Sequence, residues 1–356
     1  MLVRILALLI TFSVSCIGVV KINDLLALVT VGYFVLNTEF SIGKNALFMC
    51  SFLVAYLSFV FAINFSNLHE IISYVNAIFV LFCFAVFTGF EIDASERFLI
   101  AYIHGVLMVI FISFFERSFL SLGLGTQYSS SSGSAIQGFM LDPNRFGFTL
   151  NIALAVLLEL RTRIKLVPII AIILLVALYY TNSRAALAVG VLNVLIFFLG
   201  KKNNSRFIVL VTVILTFFNL DELLSLHPKF LAKSISFSDD ARYIYMETVL
   251  SEKFQFIGQG FNAVWRDFNF TSHNTFLEFY YDFGLIGLTC YVLILLFVFL
   301  KVYETSKTFS FNLLLILLGY SFIMNLTFNL VFFSLIGFIL SYVRGKRSNS
   351  SIPRCV

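Results

Sequence analysis

The sequence predicts an all-α polytopic membrane protein of about 12 transmembrane helices, with a large outward loop between the spans near 207–220 and 275–300. Three observations carry that expectation. Of 356 residues, 60% are hydrophobic and only 12% are charged, about half the charged share of an ordinary soluble domain. Phenylalanine alone accounts for 45 positions, and mean hydropathy is +0.97. The apolar residues also fall in long runs separated by short polar breaks, which excludes soluble globular, disordered and fibrous classes.

The elements follow in order. Residues 1–20 resemble a secretory signal, with Arg4 ahead of an apolar stretch, but no soluble body follows, so they read as a retained first span. Further spans are expected at 22–37, 45–65, 71–90, 98–115, 146–160, 166–180, 185–200, 207–220, 275–300, 309–327 and 329–343. Several are short for a hydrocarbon core of about 30 Å, so their ends should extend into flanking polar residues. The last two spans are expected to have almost no connecting loop. The chain reads as one integral membrane domain over 1–356.

Charge orients it. Arg161, Arg163 and Lys165 form one basic cluster, Lys201, Lys202 and Arg206 a second, and Arg344, Lys346 and Arg347 a third, while Lys301 and Lys307 flank another turn. An even number of spans places all four on one side, which the positive-inside rule makes cytoplasmic, with both termini there. Two polar segments then face outward, 116–145, with serines at 129–132 before Gly133, and 221–274. A loop as long as the second among tight turns points to function. Within it, Ser238-Asp239-Asp240 can cap a helix running to about Lys253, ended by Gly258-Gln259-Gly260.

The outward side collects the candidate chemistry. Asp142-Pro143-Asn144-Arg145 opens one span, Thr181-Asn182-Ser183-Arg184 forms an outward turn, and Arg242 and Arg266 lie in the long loop. Ser272-His273-Asn274 ends that loop, with Glu278 and Asp282 just beyond. Arginines facing outward run against the positive-inside trend and need a local reason. A guanidinium binds phosphate oxygens bidentately and stays charged, and a neighbouring histidine titrates near neutrality and can take a proton from a hydroxyl. Together they point to transfer from a diphosphate-linked donor to an alcohol.

Each feature also has a plainer reading. A histidine at a loop–helix junction often caps or packs, and an interfacial arginine often snorkels to headgroups. Asp142 or Asn144 can simply cap a helix. Glu278 and Asp282 can face solvent or headgroups, the 258–260 glycines can make only a turn, and His104, inside an apolar run, reads as a core histidine. Cys16, Cys50, Cys83, Cys290 and Cys355 show no metal or disulfide spacing. No basic domain with interleaved aromatics points to nucleic acid.

The order of these pieces carries a resemblance. Asp142-Pro143-Asn144-Arg145-Phe146-Gly147 is followed by Thr181-Asn182-Ser183-Arg184-Ala185-Ala186, then by Gly258-Gln259-Gly260-Phe261. Last comes a run from Ser272-His273-Asn274-Thr275 to Asp282-Phe283-Gly284-Leu285-Ile286-Gly287-Leu288. This resembles the O-antigen polymerase and O-antigen ligase family (Wzy and WaaL proteins) of bacterial envelopes, over most of residues 140–290. The resemblance implies a GT-C-like helical fold in the bacterial inner membrane. It also implies an inverting, metal-independent glycosyltransferase without cofactors, acting on undecaprenyl-diphosphate-linked oligosaccharide at the periplasmic face. In this chain it makes His273 the base and Arg184 and Arg242 diphosphate ligands, with Arg145 as a further one and Asp142, Asn144, Asn274 and Glu278 in support. It implies membrane lipids and a chain-length regulator as partners, and polymerase ahead of ligase. A transporter would instead call for internal pseudo-symmetry, broken helices and ionisable groups at mid-membrane.

Overall fold

A computed structural model describes residues 44–65, 68–118, 123–130, 133–140, 142–199, 247–251, 255–269, 273–324 and 326–350, with short pieces of 1–43. The helices are α1 (Lys44–Asn64), α2 (Leu68–Phe87), α3 (Ile92–Ser118), α4 (Pro143–Glu159), α5 (Val167–Tyr180), α6 (Arg184–Leu199), the short α7 (Ala263–Phe268), α8 (Thr275–Tyr303), α9 (Lys307–Ser321) and α10 (Leu330–Ser350). Among the described residues, α2, α3, α8 and most of α1 are long and apolar enough to cross a membrane, while α5 and α6 are shorter apolar helices. The protein is thus a membrane-embedded, multi-pass helical bundle. Span ends do extend into polar flanks: α3 covers 92–118 where the apolar run covers 98–115. The expected spans at 22–37 and 207–220, the basic cluster at 201–206, and Arg242 lie outside the described residues.

Three expectations change. Ser15–Ile17 (β1) pairs antiparallel with Val20–Lys21 (β2), so the first expected span is not one helix through residue 20. The β-branched Ile17 and Val20 favour extended backbone. Residues 309–343 are not two abutting spans: α9 ends at Ser321, and turns at 322–324 and 326–329 precede α10, where Asn329 Oδ1 accepts from the Phe332 amide at 3.1 Å. His104 is exposed on α3 and is not a core histidine. The serine-rich segment forms an antiparallel hairpin, β3 (Gln127–Ser130) with β4 (Gly133–Ile136), whose base is held by Gln137 Nε2 donating to the Gly125 carbonyl at 2.6 Å.

Phenylalanine packing explains the composition. Phe338 of α10 stacks on Phe98 of α3, with centroids 3.6 Å apart, and on Phe87 of α2 at 4.8 Å. Phe84 meets Phe333 edge-on at 5.8 Å. Aromatic contacts of this kind add to ordinary dispersion, while Phe48, Phe111 and similar residues are left on the outer surface, where lipid is as good a solvent as protein. Hydrogen bonds supply the specificity that hydrophobicity cannot supply inside a membrane. Buried Asn151 of α4 donates to the Tyr320 hydroxyl of α9 at 2.8 Å and to the Ala186 carbonyl of α6 at 2.9 Å.

The tertiary contacts sort the connections into two ends. At one, Glu159 accepts from Lys346 at 2.6 Å and from Ser306 at 2.9 Å. Arg163 faces Glu96 at 3.6 Å, Arg347 pairs with Glu304, and Arg344 donates to the Phe90 carbonyl at 3.3 Å. Exposed pairs of this kind each stabilise little, but they show the basic turns meeting at a common end. The hairpin, the 181–184 turn, the 255–269 segment and the start of α8 gather at the other.

Candidate functional site

The loop end is built from two units. The first joins the starts of α4 and α6. Asp142 caps α4, its carboxylate accepting from the Asn144 amide at 2.7 Å, and Pro143 occupies the first turn, where a missing N–H costs nothing. Asn144 Oδ1 then accepts from Ser183 Oγ at 2.7 Å, and Ser183 Oγ accepts from the Ala186 amide at 3.2 Å. One hydrogen bond therefore ties the two sequence motifs together. The small residues closing each motif account for how near the helices come. A Cβ added at Gly147 would lie 2.5 Å from Ala186 Cβ, and one added at Gly190 would lie 2.6 Å from a Leu178 methyl. Arg145, half-buried, follows Asn144, and Arg184, exposed, follows Ser183. Two guanidiniums thus sit beside two helix N-termini, where the backbone dipole also favours an anion.

The second unit surrounds the start of α8. His273 has φ of 48°, in the left-handed region, and is exposed. Asn274 caps α8 by accepting from the Leu277 amide at 3.2 Å. Buried Thr275 donates to the Met324 carbonyl at 2.7 Å and accepts from the Leu326 amide at 2.9 Å, which fastens the start of α8 to the end of α9. The same last turn of α9 carries Tyr320, the partner of Asn151 in α4. His273, Arg145 and Arg184 accordingly share one end of the bundle, joined through α9.

Glu278 and Asp282 do not face solvent; both are buried. Asp282 accepts from the Asn262 amide at 3.0 Å and the Val264 amide at 3.1 Å, which starts α7. Beyond it α8 is broken. Gly284 has φ of 66° and ψ of −170°, and residues 255–260 run alongside. The Gln259 and Gly260 amides donate to the Tyr281 and Asp282 carbonyls at 3.0 and 2.9 Å, and the Leu285 amide donates to the Gln255 carbonyl at 3.0 Å. Tyr56 of α1 donates to the Phe283 carbonyl at 2.5 Å and lies 2.8 Å from that of Ile257. The inserted segment thus supplies the hydrogen bonds that the broken helix lacks, the condition for irregular backbone within a membrane bundle. Gly258 is more than a turn residue: a Cβ there would lie 2.4 Å from the Gly284 nitrogen.

Arg266, on the same side, is already engaged. Its guanidinium donates to Asp267 at 2.8 Å, to Glu70 of α2 at 3.1 Å and to the Gln259 carbonyl at 3.1 Å. The Asp267 carboxylate first, and Glu70 with it, hold its pKa above the ordinary arginine value against the opposing effect of burial. With Asn262 donating to Ser73 at 2.5 Å and Asn64 to the Gly258 carbonyl at 3.4 Å, Arg266 latches the loop onto α1 and α2. Sequence reasoning did not anticipate Tyr56, Asn64 or Glu70 as loop anchors, because the glycine pair that signals close backbone approach does not name the elements it meets. No protein-family model matches this chain, and no curated protein matches it.

Proposed function

We propose that this protein is an O-antigen or related surface-polysaccharide polymerase of the bacterial inner membrane. It would carry about 12 spans, both termini in the cytoplasm, and a site open to the periplasm. In this reading it moves a growing glycan from undecaprenyl diphosphate to the non-reducing end of a new lipid-linked repeat unit. Arg184, Arg242 and Arg145 hold the diphosphate. His273 takes the proton from the acceptor hydroxyl as that oxygen forms the new bond to the anomeric carbon. The carbon–oxygen bond to the diphosphate breaks, the electron pair leaves with undecaprenyl diphosphate, and configuration inverts. Guanidiniums that neutralise developing charge on the leaving group provide electrostatic stabilisation, and one positioned base provides proton transfer.

The observation that carries the reading is the hydrogen bond between Ser183 and Asn144. It joins the two arginine-bearing motifs at two helix N-termini, on the end of the bundle where His273 opens α8. The motif resemblance supports the same assignment. An arginine pair beside helix N-termini suits a diphosphate.

Ligation of the glycan to the sugar core of lipid A is the second reading, because donor, residues and chemistry would be the same and only the acceptor differs. Deletion in the source bacterium, with lipopolysaccharide resolved on a gel, separates them. Core carrying a single repeat unit is the outcome expected for a polymerase. Bare core with lipid-linked polymer accumulating would make the protein a ligase, and an unchanged ladder would remove both.

A further inference from the structure

At the basic end, away from the site above, a cleft of about 290 Å³ opens where α1, α8 and α10 meet. Its two long walls follow the same pattern. On α8, Phe297 is followed at i+4 by Lys301 and one turn later by Glu304 and Thr305, all lining the cleft. On α10, Leu340 and Val343 are followed by Arg344 and Arg347 at i+4 and i+7 from Leu340. Both helices run toward the basic end, so both walls pass from apolar to cationic in the same direction. The apolar stripe continues along α8, where Leu293, one turn before Phe297, is 52% exposed and Leu300 is 49% exposed. Ala46 closes the α1 side, next to exposed Leu47 and Phe48.

Among the described residues, three cations line the cleft against one carboxylate, Glu304, an excess of positive charge. Lys301 and Arg347 share Glu304. The hydrogen bond from Arg344 to the Phe90 carbonyl uses one of five N–H donors. Thr305 also lines the cleft, while its own hydroxyl oxygen is buried beneath the wall without a hydrogen-bond partner. A cationic mouth over an apolar wall complements an amphiphile with a phosphate head. The volume holds a headgroup and glycerol, while the exposed stripes of α1 and α8 offer the acyl chains a continuous path.

We propose that this cleft binds one anionic glycerophospholipid, its phosphate on Lys301, Arg344 and Arg347 and its chains along α8. Basic pockets between helices at a membrane surface recognise such headgroups. This proposal concerns the end opposite His273 and does not depend on the reaction proposed there.

The test uses the full-length protein, delipidated in nonionic detergent and reconstituted in nanodiscs of phosphatidylcholine with graded phosphatidylglycerol, with bound lipid read by native mass spectrometry. One retained phosphatidylglycerol is expected, at low salt, in preference to phosphatidylcholine. The Lys301→Gln/Arg344→Gln/Arg347→Gln variant should lose that preference by roughly 100-fold. A control with the same charge removed elsewhere at that end, Arg97→Gln/Arg163→Gln/Lys165→Gln, should keep it. These side chains are on the surface, and a melting curve for each variant verifies folding. Equal retention of both lipids, or equal loss in the control, would overturn the proposal. Displacement by millimolar inorganic phosphate would show an anion site without lipid selectivity, and preference for a polyprenyl phosphate would reassign the cleft; each also overturns it.

Discussion

His273 occupies a backbone conformation that non-glycine residues adopt rarely, although His, Asn and Asp tolerate it better than most. Holding it there costs about 1–3 kcal/mol, and that cost aims the chain into the Asn274 cap of α8. Asparagine is therefore the clean replacement, since it suits the same backbone but cannot act as a base near neutrality. His273→Asn and His273→Ala should each lower turnover by about 10²–10⁴-fold, measured as polymer formed from lipid-linked repeat units in proteoliposomes, with the amount of folded protein unchanged. Turnover near the parent level would take His273 out of the mechanism. For the arginines the relevant property is the planar fork. Arg184→Lys and Arg242→Lys should both be strongly impaired in the same assay, because an ammonium offers charge without bidentate geometry. Full activity in both would mean that charge alone suffices.

At the scale of elements, the decisive feature is the break in α8. Gly258 and Gly284 approach each other with no room for a methyl group, and both have positive φ. Gly258→Ala and Gly284→Ala should each destabilise the protein by roughly 3 kcal/mol or more, through overpacking combined with backbone strain. The readout is a lower melting temperature in detergent and less protein in the membrane fraction. Gly319→Ala is the comparison: the nearest atom to an added Cβ is a Val189 methyl at 3.2 Å, and helical backbone accepts alanine, so its melting temperature should stay close to the parent value. If Gly258→Ala were as stable as the parent, the 255–260 segment would not pack against α8 as described.

At the scale of the whole molecule, the proposed topology puts the two ends of the bundle on opposite sides of the membrane, and labelling can read which side each faces. With Cys16 and Cys355 replaced by Ser, the described remaining cysteines, Cys50, Cys83 and Cys290, are buried and give a low background. Asn182→Cys, in the turn beside Arg184, should react with a membrane-impermeant maleimide in cells whose inner membrane is intact. Thr162→Cys, between Arg161 and Arg163, should react only after permeabilisation. The opposite pattern would place His273 in the cytoplasm and sink the periplasmic reading, while leaving the bundle itself intact.

Much of this protein was legible in its sequence. Composition and apolar runs determine a multi-pass helical bundle, because a chain this rich in Phe and poor in charge has no aqueous fold available. The positions of Asp142, Asn144 and Asn274 before apolar runs locate helix starts, and they do cap or link helices there. Alternation of the spans is enough to assign Arg145, Arg184 and His273 to one side. Tertiary structure decided what lies close together. Nothing local says that Asn144 meets Ser183, that Glu278 and Asp282 are buried, or that Arg266 reaches Glu70. Those are long-range pairings, settled by which buried polar groups must find partners once the helices pack. Residue pattern reports burial and orientation one helix at a time, whereas a site made from four helices and an inserted loop exists only after their contacts are chosen.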